Sequence, residues 1–196
     1  MTGPCLGPDV KDLGAAWIDP SARLFGAVEI HPGASVWCNV VVRAESDSVV
    51  IGPRANIQDF VMVHVGSLTS TVVGVDCSIA HHATLHGCTI GDRCLIGINA
   101  TLMDGVRLGS NSVVAGHSIL TEGSQFPDNS IVGGVPARLL GTRDQSAGNT
   151  FNAALYVLNA ANYARGIERL SDNDLAVLGH LKGRMNTMPN RAEGTA

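Results

Sequence analysis

Aliphatic residues recur every six positions along most of this chain, and that period is the strongest signal in the sequence. The series runs through Ile18, Leu24, Ile30, Val36, Val42, Ile51, Ile57, Val63, Val73, Ile79, Leu85, Ile90, Ile96, Leu102, Leu108, Val114 and Leu120. The position after each aliphatic is often glycine or another small residue, and the position four after it is mostly small. An α-helix needs a period of 3.6 and a half-buried strand needs strict alternation. The pattern instead predicts short parallel strands on the flat faces of a β-helix, with small residues easing the corners.

Three hexads per coil make a triangular prism, and such hexads resemble the left-handed β-helix of the hexapeptide-repeat proteins. The left-handedness is implied by that resemblance, because parallel strands are otherwise joined by right-handed crossovers. The predicted fold class is therefore all-β, a left-handed parallel β-helix with an α-helical C-terminal tail. The predicted boundaries are an N-terminal lead-in at 1–17, the β-helix at 18–135, and a linker with a C-terminal helical segment at 136–196.

The C-terminal segment changes from a six-residue to a helical pattern. Phe151, Leu155 and Leu158 form one stripe of a predicted helix, and Ser171 and Asp174 offer a cap for a second helix. We expect this tail to cover a flank of the prism or a neighbouring molecule, because an amphipathic stripe is typically part of a core.

Composition and charge exclude several classes of function. The net charge is −4 and the Lys and Arg residues form no block, which disfavours binding to nucleic acid or to anionic membranes. No apolar run approaches the ~18 residues of a membrane span. The five cysteines form no C-x-x-C pair and are expected to be reduced thiols, so the predicted location is cytoplasmic.

Three histidines in the middle of the repeat carry the candidate chemistry. When hexads are assigned to the three faces in turn, Arg43, His64 and His86 form one column on successive coils, about 4.7–4.9 Å apart. Two imidazoles so placed can both reach one metal ion. His81 falls on another face and cannot meet this pair across a filled prism, but it could meet the pair of another copy. The pattern therefore favours a closed homotrimer with a metal site at each of its three interfaces.

Four segments resemble the gamma-class carbonic anhydrases and their homologues in phenylacetate and carnitine catabolism, over roughly residues 14–140. They are "IHPGASVWCNVVVRAES", "ANIQDFVMVH", "IAHHATLHGCTIGD" and "LIGINATLMDGV". The resemblance implies a trimer with Zn2+, or Fe2+ or Co2+, at each interface and with His64, His81 and His86 as the ligands.

The same resemblance implies roles for further residues around the metal. Arg43 matches a structural arginine that pairs with an acid across the interface, and Glu45 stands where the family has aspartate. Gln58 matches the glutamine that orients the metal-bound water, and Asp59 matches an aspartate that fixes a neighbouring group. His82 replaces a family glycine, which raises the question of crowding at the metal.

The expected reaction is the reversible hydration of CO2 to bicarbonate, because a zinc ion on three imidazoles lowers the pKa of bound water from about 15.7 to near 7. The loop "VGSLTSTV", which follows His64, has no titratable group, so we expect slow proton export and slow turnover. The first alternative is a metal-dependent hydrolase of CoA thioesters. Two further alternatives are a metal-free hexapeptide-repeat acyltransferase that uses acyl-CoA and a non-catalytic trimeric scaffold that the metal staples together.

Overall fold

A computed structural model of the chain describes residues 4–186, with side chains described as far as residue 180. The chain forms a parallel β-helix of about seven coils followed by two helices, and its hexapeptide repeats fit the left-handed form of this fold. The predicted fold class is confirmed. The strands are β1 (Cys5–Leu6), β2 (Lys11–Asp12), β3 (Trp17–Ile18), β4 (Arg23–Ile30), β5 (Ser35–Val36), β6 (Val41–Ile51), β7 (Asn56–Ile57), β8 (Met62–His64), β9 (Thr71–Val73), β10 (Ser78–Ile79), β11 (Thr84–His86), β12 (Thr89–Ile90), β13 (Leu95–Ile96), β14 (Thr101–Leu102), β15 (Arg107–Leu108), β16 (Val113–Val114), β17 (Ile119–Leu120), β18 (Gln125–Phe126), β19 (Ser130–Gly134) and β20 (Ala137–Thr142). The helices are α1 (Ser146–Tyr163) and α2 (Asp172–Asn186).

Parallel strands stack into the three flat faces of a prism. Face 1 is the ladder of the first part of β6 with β8, β11, β14 and β17, and face 2 is the ladder of the last part of β6 with β9, β12, β15 and β18. Face 3 runs from β3 through β5, β7, β10, β13 and β16 to β19. On face 1, Val42 pairs with Val63, Val63 with Leu85, and Leu85 with Leu102, as the hexad count predicts.

The aliphatic columns fill the interior of the prism. Leu24, Ile57, Leu85 and Leu102 have no exposed surface, and the same holds for most of the small residues four positions after an aliphatic, such as Ala100. Each fully buried Leu or Ile side chain contributes about 1.5–3 kcal/mol relative to exposure. The filled interior keeps the side chains of different corners apart.

The β-sheet extends beyond both predicted edges of the β-helix. Strands β1 and β2 pair with β4 and form a first coil within the segment predicted as a lead-in, while the antiparallel strand β20 extends face 3 past residue 135. The first coil lacks the aliphatic signal because Asp12 occupies the position that Ile30 holds in the next coil. Hydrogen bonds to β4 place that coil without a core residue at this position.

Helix α1 covers face 3, where it contacts β3, β5, β7 and β10. Its buried residues are Asn149, Ala153, Ala160 and Asn162, whereas the predicted stripe of Phe151, Leu155 and Leu158 is only half-buried. The residues buried against face 3 are thus small or polar ones beside the predicted stripe, because small side chains let the helix approach the flat sheet closely and Asn149 donates to backbone carbonyls of the β-helix. Contact of the stripe itself with a neighbouring molecule stays a prediction.

The predicted cap before α2 is present. The Ser171 N–H donates to Asp174 Oδ2 at 2.9 Å, and the Asp174 N–H donates to Ser171 Oγ at 3.2 Å. Residues 187–196 of the predicted tail lie outside the described residues. Neither helix within residues 4–186 has the length and apolar character that a membrane crossing needs.

Candidate metal centre

His64 and His86 lie side by side at the ends of β8 and β11, as the column argument predicts. Their Cα atoms are register partners, and His64 Nδ1 lies 3.1 Å from His86 Nε2. The ring centroids are 5.0 Å apart and the rings are tilted by 49°. Two nitrogens on one tetrahedral zinc at 2.0–2.1 Å are separated by roughly 3.3 Å. The pair therefore has the spacing of two ligands that share an ion.

The other ring nitrogen of each histidine faces a carboxylate. His64 Nε2 lies 3.0 Å from Glu45 Oε2, and His86 Nδ1 contacts Asp104 Oδ1. A carboxylate in this position holds the ring proton on the far nitrogen and leaves the near nitrogen free as a lone-pair donor. The two nitrogens that face each other are therefore the ones that can bind a shared ion.

Asp104 is the functional candidate that sequence reasoning missed. On the coil after His86, the column position belongs to Met103, and Asp104 is the next residue. Asp104 therefore reaches His86 diagonally and not as its register partner. Its carboxylate is closely packed, because a Cβ added at Gly66 or Gly87 would come within 2.6 Å of Asp104 Oδ1. The sequence signal that could have identified Asp104 is an acidic residue on the coil next to His86, near Gly66 and Gly87.

Arg43 and Glu45 form an ion pair on the same corner, with 2.8 Å between Arg43 Nη1 and Glu45 Oε1. Partial desolvation raises the pKa of Glu45, but a bond from its own backbone N–H and the contacts with His64 and Arg43 outweigh this effect and hold the pKa below its ordinary value. Arg43 Nη2 also lies 3.4 Å from His64 Nε2. If that nitrogen donates to Glu45, the arginine contact is not a hydrogen bond. The expected partner of Arg43 across an interface stays a prediction, since its partner within the chain is Glu45.

His81 lies at the corner between faces 3 and 1, one face away from the histidine pair. Its Nδ1 is 2.9 Å from Asp59 Oδ2, and the imidazole is 39% exposed. The contact leaves Nε2 as the free nitrogen of a partly exposed ring. Within residues 4–180 no three His, Cys, Asp or Glu side chains of one chain gather into a metal-binding group. The single chain thus brings His64 and His86 together and leaves His81 apart.

Gln58 is buried on face 3, with 3% of its surface exposed. Its Nε2 donates to Asn56 Oδ1 at 2.9 Å, and Asn56 Nδ2 donates in turn to Ser78 Oγ, which also accepts a bond from Asn152 of α1. The chain alone therefore holds Gln58 in a network that ties β7 to α1. Its expected role beside a metal-bound water stays a prediction.

A cleft of about 330 Å³ lies behind Asp59, between the corner and the α1–α2 connection. Cys38 lines it, and desolvation together with the nearby Asp19 carboxylate raises the pKa of this thiol to about 12. Burial, followed by the charge of Asp59, raises the pKa of Tyr156 to about 12 as well. Neither group is a nucleophile at neutral pH, so the chemistry of this region depends on the histidines.

Comparison with known proteins supports the repeat and the family likeness. The bacterial transferase hexapeptide family (six repeats) matches residues 87–122. The chain is 38% identical over 131 residues to gamma carbonic anhydrase 1, mitochondrial, of Arabidopsis thaliana, covering 64% of this chain and 48% of that protein. It is 38% identical over 100 residues to the carnitine operon protein CaiE of Escherichia coli, covering 51% of each. The chain thus spans about half the length of the curated relatives it matches, and the resemblance expected from the sequence is confirmed.

Two solved structures share the fold of this chain. A hexapeptide transferase family protein from Anaplasma phagocytophilum superposes with a TM-score of 0.64 at 26% identity, covering 82% of this chain and 92% of that one. A predicted acetyltransferase of Bacillus cereus has a TM-score of 0.72 at 23% identity, covering 82% and 91%. The second likeness shows the fold alone.

Proposed function

We propose that this chain is a metal-dependent, carbonic anhydrase-like enzyme that reversibly hydrates CO2 to bicarbonate. The active sites lie between the subunits of a homotrimer, where His64 and His86 of one subunit meet His81 of its neighbour around Zn2+, or Fe2+ or Co2+. The observation that carries the proposal is the 3.1 Å spacing of two imidazole nitrogens, each ring backed by a carboxylate. The likeness to gamma carbonic anhydrases supports the same reaction.

Each protein group has a defined task at such a site. Glu45 and Asp104 keep the protons of the paired rings on their far nitrogens, and Asp59 does the same for His81, so that all three imidazoles present a lone pair. A divalent metal held by three imidazoles would supply a strong nucleophile from water at neutral pH. Gln58 and the Arg43–Glu45 pair are proposed to shape the surroundings of the reacting molecules once a second subunit completes the site.

Slow turnover is expected because the loop after His64 offers no carrier for the released proton. Residues 65–72 contain no titratable side chain. Glu45, the exposed acid at the site, is engaged by both Arg43 and His64. Metal content at one ion per chain and a stopped-flow CO2 assay with and without a chelator test the activity directly.

Mixing of two inactive variants tests the shared site. The variant His81→Ala keeps an intact histidine pair, and His86→Ala keeps an intact His81. In trimers assembled from an equal mixture, three quarters are mixed and each mixed trimer regains one of three sites, so about a quarter of the sites should recover metal and activity. The matched control mixes His86→Ala with His64→Ala, which both break the pair and restore no site. If the first mixture stays empty, the site is not shared between subunits.

Acyl transfer is the second candidate, because the Anaplasma neighbour, which shares the fold at 26% identity, carries a transferase name. A transferase of this kind needs no metal. One bound metal ion per chain, together with no acetyl transfer from acetyl-CoA, would therefore exclude it. The thioester hydrolase is tested by incubation with acyl-CoAs and a thiol reagent. A scaffold would hold the metal but show no activity in any of these assays. The cytoplasmic location also stays a prediction.

A further inference from the structure

Two aromatic rings stack on the surface at the corner that carries His81. Phe60 and His82 occupy successive coils with ring centroids 4.9 Å apart and an interplanar angle of 3°. Phe60 is 52% exposed, so burial does not account for its presence. The stacked rings fill this part of the corner with bulk that smaller side chains would leave open.

Phe60 holds a backbone conformation that disfavours its side chain. Phe60 has φ 62° and His82 has φ 61°, in the left-handed region, which histidine adopts more readily than the bulky phenylalanine. The other coils place Asn39, Asn99 and His117 at this corner with φ 58°. Asparagine tolerates the conformation well, whereas phenylalanine does not. A left-handed residue is a regular feature of the coil corners, and phenylalanine is the exceptional choice among them.

The stack lies directly beside the proposed third metal ligand. His81 and Asp59 are paired across the same two coils, and each is the chain neighbour of one member of the stack. The His82 N–H donates to the Asp59 carbonyl at 3.1 Å, which fixes the two pairs side by side. A molecule that approaches the free nitrogen of His81 along this corner therefore meets Phe60 and His82.

We propose that the Phe60–His82 stack is a specificity-determining wall of the interfacial metal site, and that it restricts the site to small substrates such as CO2 and bicarbonate. The inference rests on the proposed function, since it takes His81 as a ligand. It also accounts for a histidine at position 82 in place of a family glycine: the ring is held on Phe60. Acyl chains are the substrates that this wall would exclude.

Binding of carboxylates to the cobalt-loaded protein tests the wall without relying on turnover. Acetate and hexanoate are titrated while the visible absorption of Co2+ is followed, in wild type and in the variants Phe60→Asn and His82→Asn. Removing either ring should improve the affinity for hexanoate relative to acetate by about tenfold, the size of effect that hydrophobic pockets achieve between homologous chains. The matched control is His117→Asn, at the same corner on a more distant coil, which should leave the ratio unchanged.

Stability gives a second, independent measurement. Phe60→Asn should raise the midpoint of urea unfolding, because asparagine adopts the left-handed conformation at less cost than phenylalanine. Unchanged selectivity in both variants with cobalt still bound would refute the wall and leave the metal site intact. Loss of cobalt or of stability in Phe60→Asn would also refute it, because the ring would then hold the structure together. Wild type that takes up no cobalt would overturn the proposed function and this inference with it.

Discussion

Replacement of Asp104 is the sharpest test of the metal centre, because sequence reasoning did not single this residue out. Asp104→Asn keeps the size of the side chain and leaves an amide oxygen that can still accept the proton of His86 Nδ1. Only the negative charge behind the imidazole is lost. Asp104→Ala removes the acceptor as well and leaves the His86 ring free to turn.

The magnitude follows from the position of the carboxylate. Loss of a group that orients a metal-bound histidine costs 10–100-fold in metal affinity, or about 1.4–2.7 kcal/mol. His86 and Asp104 are each about a third exposed, with side-chain values of 34% and 35%, so water partly screens the lost charge. We therefore expect about a tenfold loss of Zn2+ affinity in Asp104→Asn and a loss nearer a hundredfold in Asp104→Ala.

Competition for Zn2+ with a chromogenic chelator measures both affinities, and circular dichroism checks that the fold is retained. The matched control is Asp92→Asn, because Asp92 Oδ1 accepts the Val75 N–H at 2.9 Å across two coils at another corner. An equal loss of affinity in that control would assign the effect to the fold rather than to His86. Wild-type affinity in Asp104→Ala would refute the role of this carboxylate.

Three further predictions concern the scaffold. Leu85→Ala should lower the free energy of unfolding by about 2–5 kcal/mol in urea titrations, because Leu85 is fully buried beneath the histidine pair. Asn149→Ala should lower the free energy of unfolding by about 1–3 kcal/mol and speed hydrogen exchange of the α1 amides. The reason is that Asn149 Nδ2 donates to the carbonyls of Arg93 at 2.8 Å and Ser112 at 3.1 Å. Unchanged exchange would contradict this role of Asn149. Burial raises the pKa of Cys88 to about 12 from an ordinary 9.0. Between these pH values the thiol ionises in the unfolded chain but stays protonated in the folded one. The contribution of Cys88 to the free energy of unfolding should therefore be complete below pH 9 and fall as the pH rises toward 12. Urea unfolding at pH 8 and 10 measures this fall, which should be smaller in Cys88→Ala; an equal fall in both would assign it to other groups.

The repeat made most of the fold predictable, whereas the contacts that depend on diagonal neighbours were not. A six-residue period fixes which residues share a face, so the juxtaposition of His64 and His86 follows from counting alone. The contact of Asp104 with His86 was not predicted because Asp104 lies one residue outside the column of Arg43, His64 and His86. The first coil was not predicted because Asp12 interrupts the aliphatic series. The buried face of α1 was not predicted because a flat sheet favours small side chains such as Ala153 over the larger apolar ones.

The filled prism also limits what one subunit can do for a metal ion. His81 stands at the corner where face 1 begins and His86 five positions later at the end of β11, which places them roughly 15 Å apart at the rise of an extended strand. Nitrogens that share a tetrahedral zinc must lie within about 3.5 Å of each other. A single chain can therefore offer the ion two imidazoles, and a third has to come from a neighbour. If it does, the metal binds the assembled trimer more tightly than the free subunit. Since linkage is reciprocal, the metal must then stabilise the trimer by the same free energy by which assembly tightens its binding.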